Sequence, residues 1–314
     1  MKDLRTIFMG SPDFSIPTLQ KLINTTNVLA VVTQPDRPAG RGRAPAASAV
    51  KVFAEENRIP ILQPEKISSD AALESISLLE PDILVVTAYG QIIRKNLLNL
   101  PRYGCINVHA SLLPRWRGAS PIQAAILAGD TSTGVTIMLM DQGLDTGPIL
   151  SQEAIPIPAS ATGGEMFTIL SHAGADLLIP TLRDFTLGKI APLPQDDKHS
   201  TYAPMLKKDD GRLDFTNTAD RLSAQVRAYE PWPGSFFYYQ NRRVVVRQAH
   251  SISETRLSPG IPFSVNQKPA ISCSDGSLVL DEVQPSGKNR MPSDSFLHGA
   301  KDFFKANFNR SADS

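Results

Sequence analysis

An amide and an imidazole side chain stand two positions apart in the segment CINVHASLLP, residues 105–114. Successive side chains of a β-strand point to opposite faces, so Asn107 and His109 would share one face. A Gly-rich segment, DQGLDTG at residues 141–147, follows and carries Asp145. An amide can donate to an oxyanion, an imidazole can transfer a proton, and a carboxylate can orient the imidazole. The spacing therefore predicts acid–base chemistry at a carbonyl, provided that the two segments meet.

Each of these side chains also has an ordinary structural explanation. An Asn at a strand end often caps a turn, a His is often a hydrogen-bonded polar residue, and an Asp beside Gly often shapes a turn. Asp141 is a rival carboxylate in the same segment. Cys105 suggests a thiol nucleophile, but four residues of strand place its Cα about 13 Å from that of His109. We therefore expect Cys105 to be a small core residue.

Strands alternate with helices in the first part of the chain. Apolar strands are predicted at residues 5–9, 27–33, 82–87, 105–110 and 134–140, with 149–157 as hairpin partner of the last, and helices at 16–23, 46–56, 71–79, 121–128 and 163–187. Alternating elements with apolar strands favour an α/β fold, a parallel sheet covered by helices on both faces. Ligands of such folds bind at the carboxyl ends of the strands. Asn107, His109 and the turn that holds Asp145 are expected at that edge.

The composition of the chain changes after residue 205, where a charged, Gly-containing linker follows. We predict two domains, residues 1–205 and 206–314. Short strands separated by turn signals indicate a small all-β domain or β-barrel in the second. They are expected at residues 235–239, 243–249, 270–273 and 278–283, and a closing helix at 295–308 would turn Phe296, Leu297, Ala300, Phe303 and Phe304 inward.

Composition excludes several classes of protein. The 314 residues are 41% hydrophobic with a formal net charge of +1, as in ordinary globular proteins. No apolar run is long enough to span a bilayer, and the residues at the amino end include an acid and no signal-like apolar core. The two cysteines and five histidines lack metal-ligand spacing. The composition predicts a cytoplasmic protein without a metal site or a disulfide framework.

Several segments resemble the 10-formyltetrahydrofolate-dependent formyltransferase family. Besides residues 105–114, they are 8–14, 33–42, 111–118, 134–138, 229–234 and 283–288. They occur in the order of the family and cover nearly the whole chain. The resemblance implies a Rossmann-like parallel sheet in the N-terminal domain and a small OB-like β-barrel in the C-terminal domain.

The resemblance also implies roles for the residues named above. Asn107, His109 and Asp145 match the catalytic positions, and it is Asp145 that matches, not Asp141. The donor would be 10-formyltetrahydrofolate, used as a co-substrate without a metal. Its binding segment would be formed by Ser111, Leu112, Leu113 and Pro114. Residues 89–93 would add apolar walls and backbone groups for a flat pterin.

The acceptor is the open question within the family. Relatives formylate a purine-pathway amine, amino sugars, or the methionine carried by initiator tRNA, and the wording of residues 111–118 and 134–138 resembles the last branch. A basic segment rich in Pro, Gly and Ala contains Arg37, Arg41 and Arg43, with Lys51 beyond them. Its sequence does not suggest that it packs into a hydrophobic core. Such a basic loop can contact phosphates, although a merely solvated loop would look the same. Initiator methionyl-tRNA is the expected partner, bound by a monomeric enzyme with help from the C-terminal domain.

Two other classes of function stay open at this point. Residues 10–12 follow the first strand as a dinucleotide-binding loop would, so a nicotinamide oxidoreductase of similar architecture is an alternative. Its G-x-G-x-x-G fingerprint is not in the sequence. A non-catalytic nucleic-acid-binding protein would account for a basic β-domain. It would leave Asn107, His109 and Asp145 unexplained.

Overall fold

A computed structural model describes residues 1–39, 44–254 and 257–308. The chain divides into two compact units. The first comprises Met1–Pro121, Ser132–Pro156 and Phe167–Ala203, and the second comprises Ile122–Thr131, Ile157–Met166 and Pro204–Ser314. The second unit thus takes in two short segments that precede residue 206 in sequence. The proposed division of the chain into domains 1–205 and 206–314 stays a prediction.

The elements follow one another closely along the described chain. The strands are β1 (Arg5–Gly10), β2 (Asn27–Val32), β3 (Arg37–Ala39), β4 (Ala44–Ala46), β5 (Ile61–Leu62), β6 (Ile83–Thr87), β7 (Cys105–His109), β8 (Arg117–Gly118), β9 (Ser132–Leu139), β10 (Ile149–Pro156), β11 (Tyr202–Ala203), β12 (Ser235–Tyr239), β13 (Arg242–Ile252), β14 (Pro262–Val265), β15 (Lys268–Ser272), β16 (Ser277–Pro285) and β17 (Met291–Pro292). The α-helices are α1 (Ile16–Thr25), α2 (Ala49–Glu56), α3 (Asp70–Ser77), α4 (Lys95–Leu98), α5 (Pro121–Leu127), α6 (Gly163–Thr186), α7 (Ala219–Ala228) and α8 (Ser293–Gly299).

A seven-stranded sheet forms the centre of the first unit, in the order β10-β9-β7-β6-β1-β2-β5. Strands β5, β2, β1, β6 and β7 are parallel, as the uniformly apolar pattern predicts. Every residue of β6 is buried, because helices cover the sheet on both sides. On one face Met9 and Leu84 share a core with Ile76 of α3 and Leu97 of α4. The parallel-sheet prediction is therefore confirmed for the N-terminal part of the fold.

The edge of this sheet departs from the parallel pattern. Strand β9 runs antiparallel to β7, and β10 is its hairpin partner, as predicted. Leu139 at the end of β9 pairs with Ile106 near the start of β7. The connection from β9 to β10 therefore begins near the amino end of β7. A parallel β9 would instead have placed the start of this connection at the carboxyl end of β7. It returns along β7 to reach the polar side chains described below.

Close packing fixes α6 against the sheet. A Cβ added at Gly174 would lie 2.6 Å from Val108 Cγ1, so the helix can approach β7 only with glycine at this position. Val108 faces α6, while its neighbours Asn107 and His109 face the other way, as strand alternation requires. The helix was predicted at 163–187 and ends at Thr186.

A six-stranded antiparallel sheet forms the second unit, in the order β12-β13-β16-β15-β14 with β17 paired to β16. Its core joins apolar residues of this sheet to helix α7, which the sequence reasoning missed. The predicted helix at 295–308 is wrong in length: α8 ends at Gly299, a poor helix former, and a short 3-10 helix, Phe303–Lys305, follows. Phe303 is fully buried, whereas Phe304 is 42% exposed and does not face inward.

Within residues 1–39, 44–254 and 257–308, each helix is either too short or too polar to cross a membrane.

Candidate active site

Strand β7 presents its polar side chains on one face. His109 is buried, with 6% of its surface exposed, and Asn107 is half-buried. Cys105 shares that face but lies in the core between the sheet and α4, where its Sγ is 3.7 Å from the carbonyl oxygen of Leu97. Burial raises the pKa of the Cys105 thiol to about 12. The thiol therefore stays protonated near neutral pH, and the prediction that Cys105 is a core residue is confirmed.

Asp145 brings the two segments together. Its Oδ1 accepts a hydrogen bond from Asn107 Nδ2 at 3.3 Å, and its Oδ2 accepts one from the backbone N–H of Gly118 at 2.9 Å. The same Oδ2 lies 3.6 Å from His109 Nδ1. The backbone of Asp145 has a φ of +53°, a left-handed conformation that Asp adopts more readily than most residues. Asn107 and His109, predicted from their spacing, thus meet Asp145, which the resemblance singled out.

The hydrogen bond at the other ring nitrogen indicates the tautomer of His109. Its Nε2 lies 3.0 Å from the carbonyl oxygen of Trp116, and a carbonyl oxygen can only accept, so Nε2 carries a proton. In the neutral imidazole Nδ1 is then a bare lone pair that faces Asp145. A proton taken up at Nδ1 would place a positive charge 3.6 Å from the carboxylate oxygen, which would stabilise it. The ring is therefore oriented to accept a proton on the side of Asp145.

Asp141 serves the turn. Its Oδ1 accepts hydrogen bonds from the backbone N–H of Gly143 at 3.0 Å and from Thr146 Oγ1 at 2.7 Å. The side chain is exposed and shapes the loop, as expected of an Asp near Gly. The geometry favours Asp145 over Asp141 as the carboxylate of the cluster.

Gly118 supplies a donor that sequence reasoning missed. Its φ is +113°, and a Cβ at this position would lie 2.5 Å from the carbonyl oxygen of Ala203. Strand β8 pairs with β11 here, and Trp116 N donates to Thr201 Oγ1 at 2.9 Å. The residues around 201–203 therefore hold the Gly118 N–H against Asp145. In the sequence, the one sign that backbone segments approach each other closely here is the glycine of the segment RWRG.

Gln195 is a second missed residue. Its Nε2 donates to the backbone carbonyl oxygens of Asp145 and Gly147, at 2.9 and 2.7 Å. Its Oε1 accepts from Arg117 at 3.0 and 2.8 Å, and Arg117 also pairs with Asp197 at 2.7 Å. One amide thus fixes the backbone of the turn that carries the carboxylate. A lone Gln far from both motifs gave no signal in the sequence.

The segment of Ser111, Leu112, Leu113 and Pro114 is held rigidly beside β9. Thr136 Oγ1 donates to the carbonyl oxygen of Ser111 at 2.6 Å and accepts from Leu113 N at 3.1 Å. Gln152 Nε2 donates to the carbonyl oxygen of Leu113 at 2.8 Å. Ser111 and Leu113 are buried, whereas Leu112 and Pro114 are only half-buried. The accessible part of the segment is therefore Leu112 and Pro114.

The residues expected to wall the donor pocket lie in two environments. Tyr89 and Ile93 are 2% and 5% exposed and belong to the core of the sheet, whereas Ile92 is 83% exposed. Burial raises the pKa of Tyr89 to about 12. Within residues 89–93 it is Ile92 that offers an apolar side chain to a ligand.

The predicted basic loop begins as a hairpin. Arg37 lies in β3, which pairs antiparallel with β4. Its guanidinium contacts Glu65 Oε2 at 2.7 Å, and both side chains are largely exposed. Arg41 and Arg43 lie outside the described residues. An exposed pair of this kind contributes little to stability, so Arg37 can exchange Glu65 for another anion.

Two family models match consecutive parts of the chain. Residues 5–182 match the model of the formyl transferase family, and residues 205–301 match that of the formyl transferase C-terminal domain. A methionyl-tRNA formyltransferase from Geotalea uraniireducens is 45% identical over 306 residues, which cover 96% of this chain and 96% of that protein.

Solved structures share the fold at low identity. An N-formyltransferase from Helicobacter canadensis, in complex with folinic acid and dTDP-3-aminofucose, has a TM-score of 0.66 at 17% identity and covers 88% of this chain and 98% of its own. A methionyl-tRNA formyltransferase from Clostridium thermocellum has a TM-score of 0.54 at 18% identity, over 88% of this chain and 99% of its own. The family model spans more than half of the sequence, and the first relative matches it nearly end to end. The chain belongs to the formyl transferase family.

Proposed function

We propose that the protein transfers the formyl group of 10-formyltetrahydrofolate to the α-amino group of methionine carried by initiator tRNA. The observation that carries the proposal is the 45% identity to a methionyl-tRNA formyltransferase over 96% of both chains. Such a match includes the C-terminal part, which a small acceptor would not require. The nicotinamide oxidoreductase alternative is wrong, because both parts of the chain match formyl transferase models.

The reaction needs groups that act on a tetrahedral intermediate. The amine nitrogen attacks the formyl carbon, the carbonyl oxygen becomes an oxyanion, and the bond from that carbon to the folate nitrogen then breaks. An amide nitrogen carries two protons; Asn107 donates one to Asp145 and can donate the other to the oxyanion. This arrangement requires no covalent nucleophile, in agreement with a buried, protonated Cys105.

Proton movement would fall to His109 and Asp145. The amine loses a proton as the new bond forms, and the departing folate nitrogen gains one. With Nε2–H directed at Trp116, the Nδ1 side of His109 is the one that can accept and return a proton next to Asp145. The carboxylate stabilises the imidazolium while the proton is held there. Gly118 N–H and Gln195 keep the carboxylate and its backbone in place.

The donor is proposed to lie beside Leu112 and Pro114, within reach of β7. The segment is immobilised by Thr136 and Gln152, and a preformed, partly apolar wall suits a pterin. A separate cavity of about 430 Å³ lies between the loop after β5 and α3. Its lining does not include the polar residues of β7, so we do not assign the donor to it.

The C-terminal part is proposed to bind the tRNA as an OB-like barrel spanning residues 206–314. Its antiparallel sheet carries cations beside aromatic rings: the Arg243 guanidinium lies 3.9 Å from the centre of Phe236, and that of Arg212 lies 5.9 Å from Tyr238. Lys207, Lys208 and Arg242 are further candidates for phosphate contacts, which would add affinity without reading sequence. The cytoplasmic, monomeric state expected from the sequence stays a prediction.

A transfer assay with competing acceptors tests the proposal. Purified protein would be given 10-formyltetrahydrofolate with methionyl initiator tRNA, with a sugar amine, or with a purine-pathway amine. We expect formylmethionyl-tRNA and tetrahydrofolate to form in equal amounts, and no formylation of either small amine. Formylation of a small amine with methionyl-tRNA left unchanged would contradict the proposed acceptor.

A further inference from the structure

A segment that follows α6 contacts both of the segments that carry the candidate catalytic residues. We call this segment, residues 195–203, the strap. At one end Gln195 donates to the backbone of the turn that holds Asp145. At the other end β11 pairs in parallel with β8, close to the backbone that meets His109. The strap is therefore placed to act on the geometry of His109 as well as on that of Asp145.

The backbone of Trp116 has an unusual conformation at the point where it meets His109. Its φ is +62°, in the left-handed region that is disfavoured for a bulky side chain. Its carbonyl oxygen is the atom that lies 3.0 Å from His109 Nε2. A residue keeps such a conformation only where its surroundings fix it, and these conformations concentrate at functional sites. The groups that fix Trp116 therefore also direct the carbonyl that binds His109.

Hydrogen bonds to the strap surround Trp116. Thr201 Oγ1 accepts from Trp116 N at 2.9 Å, and the carbonyl oxygen of Thr201 accepts from Arg117 N at 2.9 Å. The carbonyl oxygen of Ala203 accepts from Ala119 N, also at 2.9 Å. The last two bonds join backbone groups and do not depend on the side chains of the strap. The bond to Trp116 N depends on the hydroxyl of Thr201, so this side chain can be tested by substitution.

The Trp116 carbonyl decides between two tautomers of His109. With the proton on Nε2, the imidazole donates to this carbonyl and Nδ1 keeps its lone pair. With the proton on Nδ1, a bare lone pair would face the carbonyl oxygen, which is repulsive. If the carbonyl moved away, the carboxylate of Asp145, 3.6 Å from Nδ1, would attract the proton to Nδ1. Nδ1 could then accept no proton from the amine.

We propose that Thr201 is a positioning residue for formyl transfer: it holds Trp116 N, directs the Trp116 carbonyl oxygen at His109 Nε2, and so leaves Nδ1 with the lone pair that accepts the proton. Thr201 acts on the reaction through Trp116. Its effect on catalysis rests on the proposed role of His109, whereas the tautomer can be measured without either substrate.

Two substitutions of Thr201 test the role of its hydroxyl in turnover. Thr201→Val keeps the shape of the side chain and removes the acceptor of Trp116 N. It should lower kcat by about tenfold to 10², because a catalytic group is misplaced and a histidine in the wrong tautomer functions poorly. KM for methionyl-tRNA and for the donor should stay those of the wild type. Thr201→Ser restores the acceptor and should recover most of the wild-type kcat.

Thr186→Val is the matched control. Thr186 is half-buried like Thr201, and its Oγ1 donates to the carbonyl oxygen of Leu182 at 2.8 Å within α6. The same substitution there removes a hydroxyl from the same unit without touching the strap, so kcat should be unchanged. A wild-type kcat in Thr201→Val, a Thr201→Ser variant as slow as Thr201→Val, or an equal loss in Thr186→Val would each overturn the proposal.

Nitrogen-15 NMR of the histidine rings gives a measurement on the protein alone. It reports which ring nitrogen carries the proton, and the signals of His109 are identified among those of the five histidines by their loss in His109→Asn. In the neutral ring, wild type and Thr201→Ser should carry the proton on Nε2. Thr201→Val should shift the proton wholly or partly to Nδ1. A proton on Nδ1 in the wild type would overturn the proposal even if Thr201→Val failed to fold.

The kinetic and NMR results together distinguish this proposal from the proposed function. A wild-type protein that transfers no formyl group, with the tautomers as expected, would contradict the function and support the positioning of His109 by Thr201. A slow Thr201→Val protein that keeps its proton on Nε2 as fully as the wild type would show that the hydroxyl acts in some other way, and would overturn the proposal.

Discussion

The cluster on β7 and the basic segment of residues 37–46, which we call the arm, differ in how their described functional side chains are held. His109 and Asp145 are 6% and 14% exposed, and their polar atoms contact Trp116, Gly118 and Asn107. Arg37 of the arm is 62% exposed and its partner Glu65 is 70% exposed. Acid–base chemistry and oxyanion stabilisation need groups fixed before the substrate arrives. A polyanion can be gathered by exposed cations, because that attraction is long-ranged and undirected.

The contrast predicts a separation of kinetic effects. Changes in the β7 cluster should lower kcat and leave the salt dependence alone. Changes in the arm should raise KM for tRNA and alter its salt dependence while the chemical step continues.

The largest effect is expected from the cluster itself. Asn107→Ala and His109→Ala should each lower kcat by about 10² or more, the scale for loss of an oxyanion donor or an acid–base group. Circular dichroism should show an intact fold. The double variant should be scarcely worse than the worse single variant, since the residues act as a unit. Losses that multiply would indicate independent roles and would contradict the cluster.

A smaller loss of kcat is expected from Gly118→Ala. The new Cβ would lie 2.5 Å from the carbonyl oxygen of Ala203 at a φ of +113°, so the N–H that binds Asp145 must move. We expect kcat to fall by about tenfold to 10². Gly188→Ala is the control, because Gly188 also has a positive φ, +70°, but nothing lies within 4 Å of its Cβ position. That variant should lose about 1 kcal/mol of stability and no activity; equal kcat losses in both would refute the positional argument.

Substitutions in the arm should weaken the binding of tRNA without slowing the chemical step. An Arg41→Ala, Arg43→Ala double variant should have a higher KM for tRNA and a salt slope flatter by about one unit per lost phosphate contact. Affinity for the donor should hardly change. Steady-state kinetics over a salt series would measure both quantities. An unchanged kcat/KM and an unchanged salt slope would show that the arm does not contact tRNA, and would favour a small amine acceptor.

Cys105→Ala should have the smallest effect on turnover. Burial holds the pKa of this thiol near 12, so the group stays protonated between pH 6 and pH 9 and cannot contribute a titration to the rate there. We expect the same pH–rate profile as the wild type and a loss of about 1 kcal/mol in unfolding free energy. A folded but inactive Cys105→Ala protein would show that the thiol takes part.

Patterns that repeat along the chain predicted most of the fold. The apolar strands and amphipathic helices of the first part are where periodicity placed them, because burial of both sheet faces leaves a strong signal. The reversed direction of β9 had no such signal, since a buried strand is apolar whichever way it runs. Helix α7 was missed, and the predicted 295–308 helix was too long because α8 ends at Gly299, a poor helix former.

The sequence predicted the residues of the candidate site that could do chemistry. It did not predict the residues that hold them in position. Asn107 and His109 are two positions apart in a strand, which predicted that they share one face. The family resemblance singled out Asp145. Gly118 and Gln195 hold Asp145 through contacts between residues far apart in sequence, which no local pattern encodes. Lys51 was grouped with the loop cations, although its ammonium group pairs with Asp36 at 2.7 Å, because charge is visible in a sequence while an ion-pair partner is not.

The most direct test of the account is the single-turnover rate of formyl transfer by Asp145→Asn, measured at saturating methionyl-tRNA and donor beside Asp141→Asn. The Asn side chain keeps the size of Asp145 but cannot stabilise a protonated His109. We predict a rate lower by about 10² or more for Asp145→Asn and a nearly wild-type rate for Asp141→Asn. A folded Asp145→Asn protein with the full rate, beside an inactive Asp141→Asn, would contradict the assignment.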